Sequence, residues 1–240
     1  MNSDRSKYDR RAIAIDRVLP TLAGGMLVVV LVAVLSFVMY TRSLEAPRTA
    51  IERDIVKYRA AIEQSPSTLT NHLLLARSYV DAGRKEDALA TVRRARALSE
   101  AAIVDLTEAE VLRLSGSSEE ALPLYDLAVL KAQEEHEQSL VELRGQTVTM
   151  EPPNTLLARA LQGRAAALLE SGELQRSIED LEQASQILPT DADILIALGA
   201  HRLESQDMTG AAEAFFGALR FVPDHQEALE GLEKAGVAVP

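Results

Sequence analysis

Leu198-Gly-Ala-His-Arg-Leu-Glu-Ser-Gln-Asp-Met-Thr-Gly-Ala-Ala-Glu-Ala-Phe-Phe-Gly-Ala-Leu-Arg-Phe-Val-Pro223 decides the fold of this 240-residue chain. Small residues stand at Gly199, Ala211 and Ala218, a large aromatic at Phe215, and a proline closes the stretch. Small residues let two helices approach closely, large ones fill the spaces between, and proline stops the second helix. The same pattern recurs upstream. Gly83, Gly116 and Gly172 are each followed five residues later by a small residue, Ala88, Ala121 and Ser177. Seven residues further on come Ala95, Ala128 and Ala184, and seven before each glycine stand Ala76, Ala109 and Ala165. Ala95 to Ala128 spans 33 residues and Ala184 to Ala218 spans 34.

This periodicity resembles the tetratricopeptide repeat, a helix–turn–helix unit of about 34 residues. The resemblance covers roughly residues 69–235. The fourth copy matches best. The third keeps Leu161, Ala165, Leu168, Gly172, Leu181, Ala184 and Pro189, and the first keeps Leu75, Ala76, Tyr79, Gly83, Ala88, Val92 and Ala95. Glu100 takes the place of the closing proline in the first copy. The second departs most, with Asp105 and Glu108 where large apolar residues are usual.

The copies imply a solenoid, because no single helix pair buries its own apolar face. Tyr79, Leu112, Tyr125, Leu168 and Phe215 are the space-filling residues. Asp81-Ala-Gly83, Ser115-Gly-Ser-Ser118 and Ser171-Gly172 read as turns. Residues 225–235, with Leu229 and Leu232 on one face, read as a C-terminal cap; residues 48–64, with Ile51, Ile55, Tyr58 and Ile62, read as an N-terminal one. The register breaks once, because Gly116 to Gly172 is 56 residues. Lys131–Arg144 consists of helix formers, and a breaker containing Pro152-Pro153 follows. The second helix of the second pair is therefore expected to run on to about Arg144 and to overhang its neighbours.

Val18–Thr41 carries no charge and is apolar all round its centre. About twenty helical residues span a bilayer core, so the stretch reads as an uncleaved transmembrane anchor over residues 20–41. Five basic residues precede it (Arg5, Lys7, Arg10, Arg11, Arg17) and five follow closely (Arg42, Arg48, Arg53, Lys57, Arg59). The short basic tail, residues 1–19, resists translocation, so the expected orientation is N-terminus inside with the array in the periplasm or outside the cell. The expected architecture is all-α: one transmembrane helix, then a tetratricopeptide-like α-solenoid of about four helix pairs plus capping helices. Residues 42–68 form linker and cap, 69–235 the array with an insertion at 131–157, and 236–240 a tail.

The formal net charge is −11. Residues 1–19 hold five basic and three acidic side chains, whereas residues 43–240 hold 19 basic and 33 acidic ones, net −14. That balance argues against a nucleic-acid partner. The absence of cysteine excludes disulfides, thiol nucleophiles and Cys-ligated metals. No phosphate loop, His-Glu-x-x-His or Gly-x-Ser-x-Gly occurs. His136 lies between Glu135 and Glu137 on adjacent, non-converging positions. His72, His201 and His225 read as separate surface positions. No catalytic residue, cofactor, metal or small-molecule substrate is expected.

What the resemblance leaves is a protein-binding groove lined by the first helices. The expected lining is Leu73, Arg77, Val80 and Asp81; Leu106, Glu110, Arg113 and Leu114; Gln162, Ala166, Leu169 and Glu170; Ile196, Ala200, Leu203 and Glu204. Some members of the family clamp a terminal carboxylate with Lys and Asn; here Leu73, Arg77, Leu106 and Glu110 hold those places, so that clamp is not supported. Leu140, Val141 and Leu143 form a second candidate surface among glutamates. The expected function is a membrane-tethered adaptor assisting assembly of a cell-envelope complex. The alternatives are a permanent accessory subunit docked through the overhang and a translocon-associated chaperone.

Overall fold

The computed structural model describes residues 31–36, 49–143 and 151–237. The chain divides into two units, Met1–Thr49 and Ala50–Pro240. In the first, residues 31–36 are helical and exposed. The expected tail 1–19, most of the expected span, residues 42–48, the loop 144–150 and residues 238–240 lie outside the described residues.

The expectation of a single-pass inner-membrane protein, tethered through residues 20–41, is not upheld. Among the described residues no helix is long and apolar enough to cross a membrane. A crossing takes about twenty apolar helical residues. Only residues 31–36 of that stretch are described as helical. The longest described helix, Ser118–Leu143, carries Glu119, Glu120, Asp126, Lys131 and four further glutamates.

The regular elements of the second unit are all helices among its described residues. A leading helix, α1 (Ala50–Gln64), is followed by four pairs: α2 (Leu69–Asp81) with α3 (Lys85–Arg96), α4 (Ala102–Leu114) with α5 (Ser118–Leu143), α6 (Thr155–Glu170) with α7 (Leu174–Ile187), and α8 (Ala192–Glu204) with α9 (Met208–Leu219). A closing helix, α10 (Gln226–Lys234), packs on α8 and α9. Each helix packs on its sequence neighbours, and α4 also touches α2 and α6. This is solenoid packing, in which every unit buries the face its neighbour leaves open.

The recurring small residues are the close contacts. Ala76, Ala88, Ala95, Ala109, Ala121, Ala128, Ala165, Ala184, Ala211 and Ala218 are all fully buried. Tyr125 and Phe215 are the largest fully buried side chains. Each lies against a glycine of a following first-type helix. A methyl on Gly163 would come 2.5 Å from Cε1 of Tyr125, and one on Gly231 would collide with the ring of Phe215. Gly199 is pressed on Phe215 as well. The missing Cβ is what admits the aromatic ring.

Every first-type helix ends in the same way. The amide two residues past the cap bonds back five residues: Arg84 to Tyr79, Ser117 to Leu112, Glu173 to Leu168, Asp207 to Arg202 and Val237 to Leu232, all at 2.8–3.0 Å. This Schellman closure needs a left-handed residue just before that amide. Gly83, Gly116, Gly172 and Gly236 supply it, with φ between 69° and 81°. In the fourth pair the position falls to Gln206, at φ 66°. The left-handed turn therefore persists where the glycine does not.

The second copy's departures have a physical reason. Asp105 is fully buried, yet Lys131 Nζ of α5 donates to its Oδ2 at 2.7 Å, and Arg96 Nη1 of α3 lies 2.7 Å from its Oδ1. Glu108 accepts from Arg96 Nη2 at 2.5 Å. A buried carboxylate persists only when paired in this way. The N-cap residue of α4 is Ala101, which has no side chain able to cap the helix. Glu135 of α5 accepts the Ala102 amide at 2.7 Å instead. Asn154 donates to the Ala132 carbonyl at 2.8 Å while its Oδ1 caps the Leu157 amide at 3.0 Å. The prolonged α5 thus holds the N-termini of both α4 and α6.

Two substitutions test the packing and the turn. Ala218→Arg forces a long cation into a fully buried contact and should cost about 3 kcal/mol or more; an unchanged Tm would exclude the close helix approach. Gln206→Gly removes the left-handed strain and should stabilise by about 1 kcal/mol, read as a raised urea midpoint. A lowered midpoint would show that Gln206 bears no strain there.

Candidate protein-binding groove

The first helices share a hollow of about 250 Å³. Its lining is Arg77 of α2, Glu110, Arg113 and Leu114 of α4, Tyr125 of α5, Arg159, Gln162, Gly163 and Ala166 of α6, Leu181 of α7, and Ala197 and His201 of α8. Of the residues proposed from sequence, Arg77, Glu110, Arg113, Leu114, Gln162 and Ala166 come together here. Asp81 and Glu170 stand beside the hollow through ion pairs, at 3.4 Å to Arg77 and 2.9 Å to Arg113. Leu73 and Leu203 are half-buried and pack on the apolar clusters of their own repeats. Leu106 and Ile196 are core residues, not groove residues. Leu169, Ala200 and Glu204 are outside the lining. At the second candidate surface, Leu140 and Leu143 are half-buried, whereas Val141 is 59% exposed.

Tyr125, Arg159, Gly163, Leu181, Ala197 and His201 were not anticipated. Arg159 lies one helical turn before Gln162, so the face of α6 could have signalled it. Tyr125 and Leu181 belong to second helices. Tyr125 reaches the hollow because Gly163 against it has no Cβ, a consequence of packing between copies.

The charge pattern at the mouth is uneven. Glu110 is shared by Arg77 at 3.6 Å and Arg159 at 3.4 Å, both long contacts. Arg77 and Arg159 keep about half of their side-chain surface exposed. Arg113 Nε donates to the Tyr125 hydroxyl at 3.4 Å, and Ser118 Oγ donates to Glu170. Burial pushes the Tyr125 hydroxyl up to about 12. Three arginines and one glutamate thus line the hollow. The surrounding chain is the reverse: residues 99–240 hold nine basic and 26 acidic side chains, against nine and six in residues 50–98. A second hollow, of about 350 Å³, lies between α1 and α3. There Arg84 is already committed, stacked 4.7 Å over the Tyr79 ring and 2.6 Å from Asp87.

Of the three histidines expected at the surface, His72 and His201 are buried and His225 is half-buried. His72 is buried, with Nε2 2.8 Å from the Pro66 carbonyl. His201 is buried too, its Nδ1 2.7 Å from Ser177 Oγ. Ser177 donates its own proton to the Ala165 carbonyl at 2.6 Å. That hydroxyl is therefore an acceptor toward His201, and Nδ1 carries the proton. A nucleophilic serine would need the opposite arrangement, with histidine accepting from the hydroxyl. Burial lowers the His201 pKa below its ordinary value, with Glu204 acting weakly the other way. Among the described residues no group of three or more His, Asp or Glu side chains could hold a metal.

No protein-family model matches the chain, and no curated protein sequence matches it. Solved structures do. YrrB, described as a TPR protein with an unusual peptide-binding site, is 21% identical, with 76% of this chain and 84% of that one covered and a TM-score of 0.51. PilW, described as a widely conserved type IV pilus biogenesis factor, is 14% identical over 83% of this chain and 84% of that one, at a TM-score of 0.57. A tetratricopeptide repeat protein from Parabacteroides merdae is 15% identical over 82% and 67%, also at 0.57. At these identities the likeness establishes the fold: the array is a tetratricopeptide-repeat-like α-solenoid.

The floor of the hollow depends on Tyr125 facing a glycine. Gly163→Ala should destabilise the array by about 2 kcal/mol through overpacking, and Tyr125→Leu in the same chain should recover most of that loss. A double-mutant cycle in urea measures it; strictly additive losses would mean that the two residues do not meet.

Proposed function

We propose that this chain is a protein-interaction adaptor that holds a segment of a partner protein in the groove of its first helices. One observation carries the reading: a hollow of about 250 Å³ lies beside two half-exposed arginines, Arg77 and Arg159, that reach Glu110 only through long contacts. A hollow of that size receives a side chain, and loosely held cations exchange their internal partner for an incoming one at little cost. The groove residues proposed are Arg77, Glu110, Arg113, Leu114, Gln162 and Ala166, flanked by Asp81 and Glu170, with Tyr125, Arg159, Gly163 and His201 added by the structure. An adaptor in the assembly of a larger protein complex is the role that suits such a surface. It needs no catalysis.

A second reading is a permanent accessory subunit docked through the prolonged α5. The exposed Val141 favours it, with Leu140 and Leu143 alongside.

Photo-crosslinkers placed in turn at Gln162 and at Val141 separate the two. Under the adaptor reading the partner crosslinks from position 162, and Arg77→Glu with Arg159→Glu lowers the yield about tenfold. Crosslinking from position 141 alone, unaffected by those reversals, would establish the subunit reading. No groove-dependent crosslink from either position would end the adaptor reading.

A further inference from the structure

We infer that the hollow is a subsite for a tyrosine side chain carried by an acidic segment of the partner. This rests on the groove reading above and specifies what the groove selects.

The argument begins at His201. Its Nδ1 proton is committed to Ser177, because the Ser177 hydroxyl is itself committed to the Ala165 carbonyl. The imidazole is neutral near pH 7, since burial lowers its pKa. In that tautomer Nε2 has no proton and is an acceptor. His201 lines the hollow, is 9% exposed, and its Nε2 makes no hydrogen bond among the described residues. Nε2 keeps solvent contact, so water or a ligand donor reaches it, and a ligand that excludes water without donating leaves this acceptor unmet at a cost in free energy.

The walls decide the rest of the ligand. Gly163, Ala166, Ala197 and Leu181 make one side of the hollow apolar. A volume of about 250 Å³ accommodates one large side chain. The complementary group has an apolar body and a donor at its tip, which is the form of tyrosine. At the mouth, Arg113 is held by Glu170 at 2.9 Å, whereas the half-exposed Arg77 and Arg159 reach Glu110 only through contacts of 3.6 and 3.4 Å. Acidic residues beside the tyrosine would replace Glu110 as partners of Arg77 and Arg159.

The site discriminates by one oxygen. Phenylalanine would fill the walls and leave Nε2 unpaired, so it should bind about tenfold more weakly than tyrosine, the worth of one hydrogen bond.

The experiment uses the full chain and capped peptides acetyl-Glu-Glu-Xaa-Glu-Glu-amide, where Xaa is Tyr, Phe or Ala. Titration followed by NMR and calorimetry at pH 7.5 gives the three affinities. The expected order is Tyr, then Phe about tenfold weaker, then Ala weakest. In His201→Phe the advantage of Tyr over Phe should vanish while the Phe peptide still binds. Ser177→Ala keeps the imidazole but frees its tautomer, and should reduce that advantage. This second variant keeps the test decisive should His201→Phe fail to fold. Imidazole 15N shifts in the free protein should show the proton on Nδ1. Equal binding of Tyr and Phe peptides overturns the inference and leaves the adaptor reading intact. Binding of none of the three, with groove crosslinking from Gln162 preserved, also overturns it alone. Loss of both removes the two readings together.

Discussion

Two helices can meet closely only where a side chain is missing, and that constraint organises the array. Tyr125 is fully buried because Gly163 has no Cβ, and Phe215 because Gly199 and Gly231 have none. Leu181, a smaller residue, lies in the same hollow as Ala197. At Tyr125 and at Phe215 the large ring of a second helix occupies the space of an absent Cβ. Dense packing makes this requirement strict, since an interior has no spare volume to absorb a methyl group. The groove is a by-product of the same rule. Gly163, Ala166 and Ala197, which have little or no side chain, share its lining with Tyr125 and Leu181.

Polar interactions then fix what packing leaves open. At the junction of the first and second pairs, Asp105 takes an apolar position but is held by Lys131 and Arg96. Such a buried cluster contributes little net stability relative to an apolar one, though removing one member is costly. Its evident use here is alignment, because it ties α3, α4 and α5 together where α4 lacks its own cap. Arg164 does the same between α5 and α7, bonding Asp180 through Nε and Nη2 and Asp126 through Nη1, each at 2.7 Å.

Several elements were legible because they depend on short-range chemistry. The recurring alanines announce close contacts, and Gly83, Gly116 and Gly172 mark turns that only a left-handed residue can close. The fourth turn was not legible, because Gln206 adopts the same backbone without the tell-tale glycine. The groove was legible in part. Arg77, Arg113 and Gln162 follow from helix phase, whereas Leu106 and Ile196 share that phase and are core. A helical period does not say how far a neighbouring helix covers each face. His72 and His201 were misread for the same reason: polar residues sit on the surface by default, and their burial follows from partners elsewhere in the chain.

The sequence by itself determined that this chain forms paired helices, their turns and a stacked order, because these follow from residue size and backbone preference repeated about every 34 residues. Tertiary structure alone decided which residues line the hollow and the chemistry they present. His201 becomes an acceptor through Ser177, 24 residues away, and Glu110 is shared between arginines 33 residues before it and 49 after. Such relations depend on which helices are brought side by side, and on the low polarity between them that makes every unmet hydrogen bond costly.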